Sequence, residues 1–237
     1  MSAVAATAPA QPSALMLFAA GLGTRMRPLS DSRPKPLIKV AGRALIDHAL
    51  DQRGTLPLRC VANAHYRADQ LAAHLQGGDV TLSREEQLLD TGGGLRAALP
   101  LLGPGPVFTL NTDAVWQGPA ALPLLARHWD PARMEALLLC IPPERALGHA
   151  GQGDFLSDAQ GRGRPGPGAI YTGAQILKPE TLGEIDAPAF SLTEAWRRMI
   201  DRGTLYLAAY PGLWCDVGQP DSITLAEDML AEKVPHD

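Results

Sequence analysis

The stretch LMLFAAGLGTRMRPLSDSRPKPL, residues 15–37, decides the fold class of this chain. Its first five residues form a short apolar run typical of a buried strand, and a long loop rich in Gly, Pro and Arg follows. In an open α/β sheet, a loop directly after a strand lies at the edge where ligands bind. Gly21 and Gly23 let the backbone approach a phosphate closely, while Arg25 and Lys35 supply positive charge. The stretch therefore predicts an anion site on an α/β fold.

Outward from this stretch, short apolar runs alternate with amphipathic segments, which indicates βαβ units and a mainly parallel central sheet flanked by helices. The pattern predicts strands at 15–19, 58–63, 80–84, 107–111 and 136–141, and helices at 44–53, 68–75, 91–99, 192–201 and 222–232. Residues 142–177 are rich in Gly and Pro, and the runs DFLS and AIYTGAQIL predict a small β-rich flap over the carboxyl edge of the sheet. We expect one α/β domain over residues 14–237, preceded by a disordered tail over residues 1–13.

Composition excludes several classes of protein. The 237 residues include 21 Lys and Arg against 25 Asp and Glu, a formal net charge of -4. A chain with this balance lacks the basic footprint of a nucleic-acid binder, so we expect no nucleic-acid partner. No apolar stretch reaches the length of a membrane span, so we expect no membrane partner. Three cysteines without a CxxC pair are typical of a reducing compartment, and we expect a cytoplasmic protein.

The glycines of the first loop leave other phosphate-binding motifs to consider. GLGTRM, residues 21–26, begins like the G-x-G-x-x-G fingerprint of dinucleotide-binding proteins. Met26 stands where that fingerprint has its third small residue, and a long loop follows where the fingerprint has a helix. This difference disfavours a nicotinamide or flavin enzyme. The Walker pattern of P-loop proteins is absent from the sequence.

The same stretch resembles the signature of sugar-1-phosphate nucleotidyltransferases, G-x-G-T/E-R-[ML]-x-P-L followed by K-P-[LM]. The resemblance continues in the family's order as DTGGGL (90–95), NTDAVW (111–116), GQGDF (151–155), YTGAQIL (171–177) and WCDVG (214–218). It covers nearly everything after residue 14 and implies a single-domain, Rossmann-like nucleotidyltransferase fold. The short length and the DTGGG and GxGDF segments are most similar to the bacterial N-acetylmuramate α-1-phosphate uridylyltransferases of cell-wall recycling.

The resemblance implies a role for each matching position. It gives catalysis to Arg25 and Lys35, and it implies a Mg²⁺ cofactor held by Asp113 and Asp216. It places nucleotide contacts at Ala19, Ala20, Gly21, Gly23, Thr24, Asn63, Thr91, Gly92 and Gly93. It places sugar-phosphate contacts at Asp154, Thr172 and Gly173.

The residues themselves leave simpler interpretations open. Mg²⁺ takes one or two carboxylates plus substrate phosphates, so a separated pair of Asp residues is sufficient. Taken alone, Asp113 also fits a helix N-cap and Asp216 a turn residue. Gly92, Gly93 and Gly94 fit either a helix start with free N–H groups near a ligand or a flexible helix entry.

The implied reaction condenses a nucleoside triphosphate with a sugar 1-phosphate to give a nucleotide sugar and pyrophosphate. The Ala-Ala-Gly start at 19–21 is typical of pyrimidine-specific members, so we expect UTP and N-acetylmuramic acid α-1-phosphate as small-molecule partners. The alternatives are a mannose-1-phosphate guanylyltransferase, a glucose-1-phosphate-type transferase, and a catalytically silent nucleotide-sugar sensor on the same fold. The sequence departs from the family's pattern at two positions. Thr112 stands where the family usually has glycine, and Gln219 stands where it commonly has threonine. We expect a monomer or a homodimer.

Overall fold

The computed structural model describes residues 10–232. Most of the predicted tail, residues 1–9, and the last residues, 233–237, lie outside the described residues. The strands are β1 Ala14–Phe18, β2 Lys39–Val40, β3 Arg43–Ala44, β4 Arg59–Ala64, β5 Val80–Arg84, β6 Val107–Asn111, β7 Ala114–Gln117, β8 Ala136–Ile141, β9 Ala146–Leu147, β10 Phe155–Ser157, β11 Gly163–Pro165, β12 Ile170–Leu177, β13 Leu205–Ala209 and β14 Leu213–Asp216. The helices are α1 Leu45–Asp51, α2 Ala68–Leu75, α3 Asp90–Leu102, α4 Ala121–His128, α5 Leu192–Asp201 and α6 Asp221–Ala231.

The central sheet has the strand order β13-β8-β12-β6-β1-β4-β5. Its pairings are parallel except for the two that β12 makes. Strand β8, with the sequence ALLLCI, is buried at every residue, because a strand inside such a sheet is covered on both faces. The predicted α/β fold with a mainly parallel sheet is confirmed.

Helices cover the two faces of the sheet and enclose two apolar clusters. One face packs against α1, α2 and α4, and the other against α3 and α5. Two features of the sequence favour helix α5. Ser191 caps the helix by accepting a hydrogen bond from the Thr193 N–H at 3.3 Å. Leu192, Ala195 and Met199 recur at helical spacing and are buried. No helix in residues 10–232 has the length and apolar composition needed to cross a membrane.

Strand β12 corrects the prediction of a flap built from DFLS and AIYTGAQIL. The second run is β12, which lies in the middle of the central sheet between β6 and β8. The first run forms only the small hairpin β10-β11, which lies beside β13, with the Leu207 N–H donating to the Gly161 carbonyl. The apolar run of β12 predicts a strand but carries no information about which strands it pairs with.

A second, three-stranded sheet with the order β7-β14-β9 was not predicted from the sequence. Antiparallel pairing of β7 with β14 places Ala114 opposite Asp216, and the Val217 N–H donates to the Asp113 carbonyl at 2.8 Å. Strands of four residues are too short to give a clear alternation of apolar and polar positions. This small sheet brings together two segments about a hundred residues apart, and with them both predicted metal-binding carboxylates.

Candidate active site

A cavity of about 450 Å³ opens at the carboxyl ends of β1, β4 and β6. This edge is where an open α/β sheet places its ligand site. The lining comes from four segments: the loop after β1, the end of β4, the turn from β5 into α3, and the end of β6. The lining residues are Phe18, Ala19, Ala20, Gly21, Lys35, Pro36, Asn63, Glu85, Leu88, Asp90, Thr91, Asn111, Thr112 and Asp113.

The loop after β1 is folded back so that its lysine faces the cavity. Gly23 has φ +63°, and a Cβ added there would lie 2.9 Å from the Lys35 Cβ, so only glycine fits. The Ser30 hydroxyl donates to the Gly23 carbonyl at 2.7 Å. Met26 is fully buried in the apolar cluster with Val40 and anchors the loop. This anchoring role explains why a large residue stands where a dinucleotide fingerprint has a small one.

Lys35 and Asp113 form an ion pair at the mouth of the cavity. The distance from Lys35 Nζ to Asp113 Oδ2 is 2.8 Å, and the side chains are 12% and 33% exposed. Water and salt screen a partly buried ion pair less than an exposed one, so the attraction between these two charges is larger than in a surface ion pair. The pair holds the ammonium group next to the carboxyl end of β6.

The carboxylates of Asp113 and Asp216 lie close enough to repel each other. Burial raises the pKa of the Asp216 carboxyl, and the Asp113 charge raises it further. The charges of Lys35 and Arg25 oppose that rise. Two like charges held together in a half-buried place are stabilised by an added cation.

These two carboxylates fit a magnesium ion. Residues 10–232 contain no cluster of three or more His, Cys, Asp or Glu side chains that could hold a metal by protein ligands alone. Mg²⁺ does not need such a cluster, because it binds one or two carboxylates and completes its octahedron with water and substrate phosphates. The backbone pairing that brings Asp113 and Asp216 together supports this fit, and the raised pKa of the Asp216 carboxyl agrees with it.

Asn63 connects the first loop to a buried carboxylate, Glu85, which was not predicted from the sequence. Its Oδ1 accepts a hydrogen bond from the Ala19 N–H at 2.7 Å, and its Nδ2 donates to Glu85 Oε1 at 2.7 Å. Glu85 Oε2 accepts from the Leu89 N–H at 3.2 Å, and the residue is only 8% exposed. An acidic residue directly after a strand was the available sign, since β5 ends at this edge of the sheet. Glu85 places a hydrogen-bond acceptor in the cavity wall.

At Gly92 and Gly93, the amino-terminal turn of α3 does not offer free N–H groups, which were one of the two interpretations of this segment. The Gly92 and Gly93 N–H groups donate to the Phe190 carbonyl at 2.9 and 3.1 Å. A Cβ on Gly92 would overlap the Phe190 ring, and one on Gly93 would lie 2.5 Å from the Pro188 carbonyl oxygen. These glycines are buried for close packing, whereas Thr91 itself lines the cavity.

The three residues predicted to contact sugar phosphate occupy different environments. Asp154 Oδ2 accepts a hydrogen bond from the Tyr171 N–H at 2.8 Å, so it fastens the β10-β11 hairpin to β12. Gly173 has φ +86° and packs directly against Asn111 in the cavity wall. Thr172 lies inside the sheet, because its side chain is fully buried and donates to the Leu139 carbonyl at 2.7 Å.

Two further loop residues and one family departure complete the site. Thr24 and Arg25 lie on an exposed single turn of 3₁₀-helix and do not line the cavity. The Arg25 charge nevertheless acts on the Asp216 carboxyl, whose pKa it lowers. Thr112, which replaces the usual glycine, is 3% exposed and donates to the Phe18 carbonyl at 2.7 Å. Its hydroxyl therefore links the ends of β1 and β6 instead of facing a bound ion.

Comparison with known proteins gives one consistent result. Residues 15–185 match the MobA-like NTP transferase domain. The chain is 41% identical to N-acetylmuramate alpha-1-phosphate uridylyltransferase of Caulobacter vibrioides, over 93% of this chain and 98% of that protein. It is 33% identical to the enzyme of the same name from Neisseria meningitidis serogroup B, over 86% and 92%. The inositol-1-phosphate CTP transferase from T. maritima shares the fold, with a TM-score of 0.74, 13% identity and coverage of 96% and 99%.

Proposed function

The chain belongs to the MobA-like NTP transferase family, and from this premise we propose that it transfers a uridylyl group from UTP to N-acetylmuramic acid α-1-phosphate. The products are UDP-N-acetylmuramic acid and pyrophosphate. The observation that carries the proposal is the convergence of Lys35, Asp113 and Asp216 beside one cavity at the sheet edge. The identity of base and sugar rests on the relative that is 41% identical.

The nucleotide occupies the cavity between the first loop and α3. Ala19, Ala20 and Gly21 line it with small side chains, which lets the nucleotide approach the backbone closely. Asn63 orders this wall by binding the Ala19 N–H. The Glu85 carboxylate, which accepts hydrogen bonds, suits a base with an N–H donor, as uracil has at N3. Gly23 and Thr24 shape the loop, and Gly92 and Gly93 let the start of α3 pack closely.

Catalysis is positioning and charge neutralisation, because nucleotidyl transfer needs no covalent enzyme intermediate. An oxygen of the sugar phosphate attacks the α-phosphorus of UTP in line, and the bond from this phosphorus to the oxygen of pyrophosphate breaks. Lys35 neutralises charge on the α-phosphate, held in place by Asp113. Arg25, exposed on the loop, meets the leaving phosphates. Asp113 and Asp216 would hold a Mg²⁺ ion, which would supply Lewis-acid stabilisation of the phosphate oxygens.

The sugar phosphate lies on the other side of the metal carboxylates, at the start of β12. Gly173 gives it access to the wall beside Asn111, and Asp154 fixes the backbone of Tyr171 at the same edge. Thr172 supports this wall from inside the sheet through its bond to Leu139. We further propose that residues 14–237 form a single domain. The enzyme acts on small-molecule substrates in the cytoplasm, as a monomer or a homodimer.

Pyrophosphate release tests the proposal. The enzyme is incubated with Mg²⁺, UTP and N-acetylmuramic acid 1-phosphate, beside the same mixture with EDTA and a second mixture with GTP and mannose 1-phosphate. We expect metal-dependent release that prefers the first pair. Preference for GTP and mannose 1-phosphate would support nucleotidyl transfer but reject uracil and N-acetylmuramic acid as the base and sugar. Nucleotide binding without pyrophosphate release from either pair would instead support the silent sensor.

A further inference from the structure

A segment without regular structure, residues 185–191, lies across the amino-terminal turn of α3, and we call it the strap. The Phe190 N–H donates to the Leu89 carbonyl at 3.1 Å, and the Phe190 carbonyl accepts from the Gly92 and Gly93 N–H groups. Just beyond the strap, the Leu192 N–H donates to Thr91 Oγ1 at 2.9 Å. These bonds attach the strap to the residues immediately beside Asp90 and Thr91, which line the cavity.

Arg96 holds the strap in this position. Its Nη1 donates to the Ile185 carbonyl and its Nη2 to the Ala187 carbonyl at 2.6 Å, with longer contacts of 3.4 Å to Leu182 and Pro188. The guanidinium carbon also lies 4.7 Å from the centre of the Phe190 ring. One planar cation thus satisfies carbonyls along the strap and stacks on its aromatic residue.

The position of Arg96 on α3 makes this arrangement a coupling between helix and strap. It lies three and four residues after Gly93 and Gly92, so it projects from the same face of the helix as these glycines. The glycines bind the carboxyl end of the strap, and Arg96 binds its start and its middle. The first two turns of the helix are therefore fixed to the same segment.

We propose that Arg96 is a positioning residue for the nucleotide: through the strap, it keeps the start of α3 in the arrangement that forms the cavity wall. The inference rests on the proposed nucleotide site. If the strap detaches, the wall at Asp90 and Thr91 is formed in only a fraction of molecules. The apparent affinity for nucleotide then falls by that fraction, whereas molecules that have bound nucleotide react normally.

The test compares Arg96→Ala and Arg96→Lys with a matched control, Arg59→Ala. Arg59 is exposed, and its Nη1 donates to the Leu102 carbonyl at 2.7 Å, so this arginine binds the opposite end of the same helix. We expect Arg96→Ala to raise the KM for UTP about tenfold, with kcat changed less than about threefold. We expect the KM of Arg96→Lys to lie between those of wild type and Arg96→Ala, because lysine keeps the positive charge but lacks the planar guanidinium group. Arg59→Ala leaves the KM for UTP unchanged.

Amide hydrogen exchange gives a second readout that needs no substrate. Arg96→Ala speeds exchange at Gly92 and Gly93, and Arg59→Ala does not. Unchanged exchange there, an unchanged KM, or a fall in kcat as large as the rise in KM would overturn the proposal. If wild-type protein released no pyrophosphate, the proposed function would fail and the exchange result alone would decide the role of Arg96. Should Arg96→Ala not fold, Phe190→Leu removes the stacked ring, and the same two measurements apply.

Discussion

Replacing Asp113 with asparagine should lower turnover strongly while changing the stability of the fold only slightly. The change is nearly isosteric and removes one negative charge from the pair with Lys35, whose charged atoms are 2.8 Å apart. At an effective dielectric constant of about 20, that separation gives an attraction of about 6 kcal/mol. Asparagine keeps an oxygen that accepts a hydrogen bond from the lysine, and the repulsion between Asp113 and Asp216 disappears.

The net loss of folding free energy is therefore much smaller than the gross attraction, and we expect about 1–2 kcal/mol. For a chain of this size that corresponds to a fall in melting temperature of roughly 2–8 °C. Turnover falls by about 10³-fold or more, because both a preorganised charge and a metal-binding carboxylate are lost. The large loss of rate with a small loss of stability is the expected signature.

The assay couples pyrophosphate release to a colour reaction, and thermal unfolding is followed on the same preparations. Asp79→Asn is the matched control, since Asp79 pairs with Arg53 on the surface and is 62% exposed. We expect that control to keep wild-type turnover. Turnover of Asp113→Asn within tenfold of wild type would refute the role assigned to this carboxylate. Unfolding of the variant at the assay temperature would refute the expected small loss of stability.

Thr112→Val removes the hydroxyl that links β6 to β1, so thermal unfolding should show a loss of about 1–2 kcal/mol with kcat lowered less than tenfold; a larger fall in kcat would mean that Thr112 acts on the reaction itself. Glu85→Gln leaves one of two N–H donors without its acceptor and should raise the KM for UTP about tenfold, whereas an unchanged KM would place Glu85 outside the nucleotide contacts. Burial raises the pKa of Glu135, but hydrogen bonds from Thr204 and Arg202 outweigh it and hold the pKa below its usual value. Glu135 therefore stabilises the fold above about pH 4.3, and this contribution is lost as the pH falls through the lowered pKa. In urea unfolding, the difference between wild type and Glu135→Gln should be largest at pH 7 and shrink at pH 3; a constant difference would contradict this.

The parallel half of the fold was predictable because its information is local. The run ALLLCI at 136–141 is too short for a helix and too apolar for a surface strand. Likewise the glycines, arginine and lysine of residues 21–35 follow directly on β1, so their place at the sheet edge follows from the chain order. The residues alone could not show that Asp113 and Asp216 meet, because β7 and β14 join them through a pairing between distant segments.

The rest of the site depends on contacts between distant segments. Asn63 and Glu85 meet because β4 and β5 are neighbours, and sequence alone does not give the strand order. The DTGGG segment fitted either a helix start with free N–H groups or a flexible helix entry. In the structure the Phe190 carbonyl, about a hundred residues later, accepts the N–H groups of Gly92 and Gly93. Thr172 belongs to the YTGAQIL motif. The pairing of β12 with β8 is irregular between Tyr171 and Gln175, and in this stretch the Thr172 side chain points into the sheet.

The place of β12 in the sheet has a consequence for synthesis on the ribosome. Strand β8 pairs only with β12 and β13, and both are made after it. At roughly 5–20 residues per second, residues 142–169 take about one to six seconds to emerge. During that time the most apolar strand of the protein has no partner, while β1, β4, β5 and β6 can already pair with one another. The nascent chain is therefore most prone to aggregate in this interval, and chaperones that cover apolar segments are expected to act then.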